Sequence, residues 1–494
     1  MKFRTTRAGL SSLLICMFVF TLLFTSTPAI AGENVNNVYL EGVMQFIKSR
    51  YNYELGEGQL LEGSVKGMFE QLDDYSEFYT QEDAKQYLEA VDGNYEGIGI
   101  VLSKEQNYIV ITKIFPASPA ETAGLLGGDK IVTINKKNVI GSTIDEVSSL
   151  IRGERGTLVT LGVMRNGSNT VLEISAKREG IKLNPVNGEI REGIGYISID
   201  SFNSNTNEFL IKVLKEMDTA KVYKLILDLR DNTGGEVGQA VAVARHFVPV
   251  GTITTLKFRA GDDIVYSSSL VKARYQIAVL VNKNTASASE ILGGAIQDSK
   301  TGMLIGTKTY GKARVQSVVP LLTPEAYNKY SRQFNDLTVD ANDLVLHHDI
   351  EPSDDEILGW AKITTGTYLT PAGRFIDGIG LQPDIAVEDP GLANGIEVRN
   401  ISILNKTSKP TLNSSDINVY NAEKILTAGG YAVDKPDLNL DIKTWEAIKK
   451  FQIDNKLYPS GVLDFATQEL FNKQRQNMLV KFDRQYAKAV EYLN

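Results

Sequence analysis

Cysteine is almost missing from this chain: Cys16 is the only one among 494 residues, and histidine occurs three times, at His246, His347 and His348. That scarcity excludes a disulfide scaffold and Cys/His zinc sites, and it leaves almost no room for a thiol nucleophile. Positive charge is also in short supply. Against 60 Asp and Glu there are 52 Lys and Arg, a formal net charge of −8, so the phosphate-neutralising face of a nucleic-acid binder is not expected. Past the first 31 residues no apolar run is long enough to cross a bilayer. What is present is ordinary globular material, 43% hydrophobic and 23% charged, and at ~150 residues per domain the length predicts three or four folded units.

Residues 1–31 read as a targeting segment. Lys2, Arg4 and Arg7 precede the apolar run Ala8–Phe24, and Ala29-Ile30-Ala31 is the small-residue pattern at which signal peptidases cut. Two outcomes stay open, a cleaved signal peptide or a retained membrane anchor, and either exports the rest. Cys16 lies inside this segment. Export without disulfides suits a bacterial cell envelope, so the expected location is extracytoplasmic or cell-wall, with membrane contact only through the N-terminus.

The expected fold class is multidomain α/β. Residues 33–92 carry helical spacing, with Val43, Phe46 and Ile47 and later Val65, Met68, Phe69 and Leu72. Residues 93–178 are β-rich, with strands at Ile98–Leu102, Ile109–Ile111, Lys130–Ile134 and, last, Val159–Met164 around a helix near Thr143–Ile151. Residues 179–399 alternate buried strands (Lys224–Leu229, Gln276–Val281) with helices (Thr206–Met217, Gly238–His246, Ser289–Asp298), an α/β core with a mixed sheet. Residues 400–415 are polar and read as a linker. A helical unit, 416–473, and a charged amphipathic tail, 474–494, follow.

Within the β-rich region the words Glu96-Gly97-Ile98-Gly99-Ile100, Ser118-Pro119-Ala120 through Gly124-Leu125, and Gly128-Asp129-Lys130-Ile131 resemble a permuted bacterial PDZ domain. Glycines beside a strand edge let backbone N–H groups converge on a terminal carboxylate while the peptide adds as a strand. Gly97, Ile98 and Gly99 are the expected carboxylate site. Arg152 either adds charge to that capture, contacts the neighbouring domain, or is a solvated helix-end arginine that does neither.

Chemistry concentrates in the junction Asn282-Lys283-Asn284-Thr285-Ala286-Ser287-Ala288-Ser289-Glu290. A buried strand running through small residues into a helix exposes a hydroxyl beside a helix N-terminus, where amides and dipole favour an oxyanion. A serine there is otherwise a plain N-cap. The stretch Thr309–Gln316 reads as a strand, which puts Lys312 and Gln316 on one face. A desolvated lysine can act as the base in place of histidine, with Gln316 holding the amine. The pair Gly234-Gly235, following the buried strand Lys224–Leu229, suits presentation of backbone donors to a tetrahedral oxyanion.

Together, and in this order, these words resemble the carboxyl-terminal processing peptidases, serine endopeptidases of bacteria and chloroplasts. The likeness extends to Leu72-Asp73-Asp74-Tyr75-Ser76-Glu77-Phe78-Tyr79 and to Tyr368-Leu369-Thr370-Pro371-Ala372-Gly373-Arg374. The resemblance implies Ser287 as nucleophile, Lys312 as base and Gln316 as support, with oxyanion donors from Ala288 and from Gly234 and Gly235. It implies no metal or organic cofactor, substrates that are proteins or peptides with apolar C-termini, and pairing of two chains into a dimer through the helical ends. The chain departs from the pattern at Thr285, at Ala313 and at Thr233, and Ala313 limits backbone freedom beside the base. Residues 322–359, acidic and holding both His347 and His348, look like a long structureless insertion, a lid, a partner surface or a tolerated excursion.

The C-terminal words around Trp445, Phe451-Gln452 and Gly461 resemble a three-helix peptidoglycan-binding domain, with Trp445, Phe451 and Leu470 read as core. Three rivals to the peptidase reading remain at this stage. One is a catalytically silent envelope scaffold binding protein C-termini and peptidoglycan. The others are a histidine-based triad and a glycan hydrolase, the last lacking a visible acid pair.

Overall fold

In the computed structural model, the described residues are 35–494 apart from 57, 116, 166–169, 260, 335–336 and 390. The targeting segment and Cys16 lie outside them. Residues up to Asp73 form one compact unit and Asp74–Asn494 another. The first contains the helices Val35–Arg50 and Gln59–Phe69. Val38, Tyr39 and Phe46 on the former are all more than 60% exposed. No helix of the described residues is long and apolar enough to cross a membrane.

The centre of the second unit is a six-stranded sheet in the order Val186–Arg191, Ile194–Ile199, Lys224–Asp228, Gln276–Val281, Gly302–Gly306, Ile385–Ala386. The first pair is antiparallel and every later pairing parallel, so the sheet is mixed. Side chains alternate between two cores, as a strand's period of two requires. Leu225, Leu227, Ile277 and Val279 pack with the helices Thr206–Thr219, Val237–Ala244 and Ala288–Asp298. Ile226, Ala278, Leu280 and Ile305 face the other way.

That second face is covered by the C-terminal quarter of the chain. Val419, Ile425, Ile448, Phe451 and Phe471, from the helices Ile417–Ala428, Ile442–Asp454 and Phe465–Phe482, share its core with Tyr486, Ala489 and Leu493 of the terminal helix Arg484–Leu493. The segment expected as a free linker is part of the same core. Ile401 and Leu404 are buried in it, at 1% and 2% exposure, because two apolar residues among the polar ones suffice to pin the chain down. Phe451 stacks on Phe471 with centroids 3.9 Å apart, and Trp445 and Leu470 pack against the core's edge. Gln452 is wholly buried and holds the next turn, its amide donating to Val462 O at 3.0 Å and accepting from Gly461 N at 2.9 Å.

This helical unit has a titrating group inside it. Burial pushes the Glu423 carboxyl up to about 8, although Thr444 Oγ1 and the Asp437 amide donate to it. An acid whose pKa is raised on folding stabilises the fold below its ordinary range and loses that contribution as pH rises through the folded value. Calorimetric melting midpoints are therefore expected to fall more steeply between pH 5 and pH 9 in the parent than in Glu423→Gln, which mimics the neutral acid.

The β-rich region is a sheet in the order Ile100–Glu105, Tyr108–Ile114, Lys130–Ile134, Leu158–Met164, Val171–Lys177. Val159–Met164 is not its last strand. Val171–Lys177 pairs beside it, and Glu179–Lys182 pairs with Asn94–Gly97. The expected strand Ile98–Leu102 is split at Gly99, whose φ of +81° turns the chain between Asn94–Gly97 and Ile100–Glu105. The helix Ile144–Ile151 is closed by a Thr143/Glu146 capping box.

A second mixed-origin sheet joins Glu77–Tyr79, Ile357–Leu369, Gly251–Phe258 and Ile264–Ser268, with Arg314–Leu322 also paired to Ile357–Leu369. The tip of that long hairpin is the acidic insertion, and it is not structureless. Helices Pro324–Ser331 and Asn342–His348 close a small core of Leu322, Ala326, Tyr330, Leu337, Ala341 and Leu344. The apolar residues are spaced at helical intervals within an otherwise charged stretch, so they bury one another despite the composition.

Candidate active site

Three loops follow the carboxyl ends of three neighbouring parallel strands, after Asp228, Val281 and Gly306, the edge where open α/β sheets gather their functional groups. The middle loop ends at Ser287, whose φ of +56° and ψ of −119° are outside ordinary L-residue conformations. A non-glycine residue there is strained by roughly 1–3 kcal/mol, and the strain holds the serine ahead of the helix Ala288–Asp298. Ser287 is half-buried.

The loop after Asp228 packs directly beneath it. A Cβ on Gly234 would sit 2.7 Å from Ser287 Cβ and 2.9 Å from Ala288 N. A Cβ on Gly235 would sit 2.1 Å from Phe202 O, so neither position admits a side chain. The two glycines are not equivalent as donors. The Gly234 amide already donates to Asn232 Oδ1 at 2.8 Å, which leaves the Gly235 and Ala288 amides as the better-suited oxyanion donors of the expected three. Asn232 also ties this loop to the serine loop, its carbonyl accepting from Ala286 N and Ser289 Oγ, both at 3.0 Å.

Lys312 is not on a strand. The strand begins at Arg314, so alternation neither sets the position of Lys312 nor puts it on one face with Gln316. Two residues fix it instead. Glu290, fully buried, accepts through Oε1 from Thr309 Oγ1 at 2.5 Å and Gly311 N at 2.8 Å, and through Oε2 from Lys312 N at 2.8 Å and Ser287 N at 3.0 Å. One carboxylate thus grips the backbones of both expected reacting residues. Burial raises its pKa against the pull of those donors. The buried Tyr368 hydroxyl lies 3.0 Å from Ser287 O and 2.9 Å from Lys312 O, a shared donation to the same two residues. Ala313 is buried, keeps an ordinary negative φ and donates its amide to Asp377 Oδ1 at 3.0 Å, so the absence of glycine costs nothing there.

The Lys312 ammonium position is 4.3 Å from the centre of the Tyr75 ring, within cation–π range. Tyr75 is in the word that precedes Glu77–Tyr79, and Tyr310, whose hydroxyl is 3.2 Å away, pushes its phenol up to about 12. Gln316 Nε2 donates to Thr364 Oγ1 across the hairpin at 3.3 Å. Two of the three histidines are engaged elsewhere. His246 Nε2 lies 2.9 Å from Asn207 Oδ1, and His348 stacks on Phe334. Asp298 accepts from Ala372 N and Arg374 Nη2 and supports that loop. Among the described residues no cluster of His, Cys, Asp or Glu is arranged to hold a metal.

Glu290, Tyr368 and Tyr75 were not singled out from the sequence. The first had a signal: Ser287-x-x-Glu290 is a capping-box pattern, and the carboxylate does accept the N-cap amide. Tyr75 and Tyr368 fall in words that resemble the family, but nothing local gives either a role, since one lies in the turn before Glu77–Tyr79 and the other on Ile357–Leu369, both far from Ser287 in sequence.

The expected peptide-binding residues also meet. Gly97, Ile98, Gly99 and Arg152 line a cavity of about 320 Å³ between the strand Ile100–Glu105 and the helix Ile144–Ile151. That strand is at a sheet edge, open to an added strand. Arg152 is bonded from outside the β-rich region by Glu89 Oε2 at 3.2 Å and lies over the Tyr95 ring within it.

Known proteins give this arrangement its context. Residues 193–387 match the model for "Peptidase family S41", residues 110–165 a "PDZ domain", and residues 415–470 a "Putative peptidoglycan binding domain". The "Carboxy-terminal processing protease CtpB" of Bacillus subtilis is 29% identical over 442 residues, 88% of this chain and 84% of that protein. A "Probable CtpA-like serine protease" of Staphylococcus epidermidis is 29% identical over 448 residues, 90% and 82%. The solved "photosystem II D1 C-terminal processing protease" is 26% identical and covers 70% of this chain and 86% of its own, with a TM-score of 0.38.

Proposed function

Since this chain is a serine-type C-terminal processing peptidase carrying a family S41 domain, a PDZ domain and a peptidoglycan-binding domain, we propose that it cleaves with a Ser287–Lys312 dyad. Ser287 Oγ attacks the scissile carbonyl carbon while the unprotonated Lys312 amine takes its proton. The Gly235 and Ala288 amides receive the oxyanion. On collapse, Lys312 passes the proton to the leaving amine, and a water molecule repeats the sequence to free the acyl group from Ser287. Gln316 orders the hairpin beside the base. The single observation behind this reading is the Glu290 carboxylate, which bonds the amides of Ser287 and Lys312 at 3.0 and 2.8 Å.

The remaining assignments follow from the modules. Exported proteins with apolar C-termini are the proposed substrates, engaged in the groove beside Ile100–Glu105. The site of action is the cell envelope, with the C-terminal helices against peptidoglycan and two chains paired through their helical ends.

Treatment with diisopropyl fluorophosphate is expected to stop casein turnover and to add one diisopropylphosphoryl mass to the tryptic peptide holding Ser287, with fluoride leaving. A label on another serine, with turnover persisting in Ser287→Ala, would overturn the assignment.

A further inference from the structure

The glycine loop is anchored from behind by residues near the end of the chain. Arg230, two residues past the central strand and 7% exposed, has carboxylates on two sides. Its Nε donates to Asp228 Oδ1 at 2.9 Å. Its Nη1 reaches Asp483 Oδ1 at 2.9 Å and Gln485 Oε1 at 3.2 Å, and Nη2 lies 2.9 Å from Asp483 Oδ2. Asp483 in turn caps the terminal helix, accepting from Tyr486 N at 3.0 Å. Gln485 donates to Val387 O and Asp389 Oδ1, both at 3.0 Å.

The next residue, Asp231, sits at φ +60°. It pairs with Arg399 and accepts from Asn282 and Asn284 of the serine loop, at 2.9 and 2.8 Å. Burying an ion cluster of this kind adds little net stability over apolar packing. The terminal helix already has Tyr486, Ala489 and Leu493 in the core to dock it. The cluster's effect is geometric, fixing where the chain turns toward Gly234 and Gly235.

We infer that Asp483 and Gln485 are positioning residues for peptide hydrolysis, acting through Arg230 on the turn that presents Gly234 and Gly235 to Ser287. This rests on Ser287 being the nucleophile. The terminal helix is thereby a working part of the peptidase site, although its cap Asp483 is 196 positions later in the chain than Ser287.

Full-length Asp483→Ala, Asp483→Glu, Gln485→Ala and Ser287→Ala decide the matter, assayed well below each melting midpoint. Asp483→Ala is expected to lose ~10-fold or more in kcat with KM within twofold, and to slow phosphorylation of Ser287 by diisopropyl fluorophosphate by a similar factor. Asp483→Glu is expected to recover part of both. Binding of an apolar C-terminal peptide to the groove beside Ile100–Glu105 is expected to stay unchanged, a split that general destabilisation does not produce. Parent-like kcat and labelling by diisopropyl fluorophosphate in folded Asp483→Ala would overturn the inference. Should that variant not fold, Gln485→Ala decides, with a fall of ~3-fold in kcat expected and an unchanged kcat overturning it. Turnover by Ser287→Ala would instead sink the nucleophile assignment.

Discussion

Lys312→Ala is expected to lower kcat/KM for a peptide substrate by at least ~10³-fold, the usual consequence of removing one member of a nucleophile–base pair. Lys312→Arg is expected to be equally inactive, because a guanidinium stays protonated at any pH the fold survives and cannot accept the serine proton. The chain holding His246→Ala, His347→Ala and His348→Ala together is expected to turn over within ~3-fold of the parent. The structure supplies the reason for that contrast. His246 is bonded to Asn207 and His348 is stacked on Phe334, while Lys312 shares a carboxylate and a tyrosine hydroxyl with Ser287. Steady-state kinetics on the three proteins separates the two chemistries, and activity in Lys312→Arg combined with a dead triple-histidine variant would reverse the assignment.

The second large effect belongs to a residue that touches no substrate. Glu290→Ala strips the acceptor from three backbone amides and one hydroxyl at once, two of these donors buried and two part-buried. Each buried donor left unpaired costs about 1–3 kcal/mol, offset where water enters the space, and a loss of about 3–5 kcal/mol in urea unfolding is expected. Turnover is expected to fall with it, since the turn Thr309–Lys312 and the residue Ser287 lose their common anchor. Glu290→Gln separates the two consequences. It keeps one acceptor oxygen but turns an NH₂ group toward donors, so it is expected to fold more firmly than the alanine variant while still misaligning the pair. A Glu290→Gln enzyme with parent kcat would show that the clasp matters for stability alone.

The sheet and its helices were legible because periodicity speaks plainly where both faces are buried. Lys130–Ile134 and Gln276–Val281 have the expected bounds, and the helices Ala288–Asp298 and Thr206–Thr219 differ by one or two residues at their ends. The serine–helix junction and the glycine loop were legible for the same local reason, small residues at a strand end. Three things were not. Lys312 was read onto a strand with the rest of Thr309–Gln316, whereas the strand starts only at Arg314, and Gly311 at φ +86° and the bond from Ala313 to Asp377 hold the residues before it in irregular backbone. The segment 400–415 was read from its polar majority, and burial of Ile401 and Leu404 depends on a sheet face about 100 to 180 residues earlier in the chain. The insertion was read from its charge, which says nothing of a six-residue core.

The sheet's second face carries a consequence for how such a chain can be divided. Ile226, Ala278, Leu280 and Ile305 are dry only because the last hundred residues lie on them. A piece ending after the matched peptidase residues would wet that apolar layer and lose most of one core. The part expected to grip the wall is therefore not a detachable handle. Substitutions can retune its grip, but it cannot be discarded, swapped for another adaptor or left behind on the wall while the blade diffuses off.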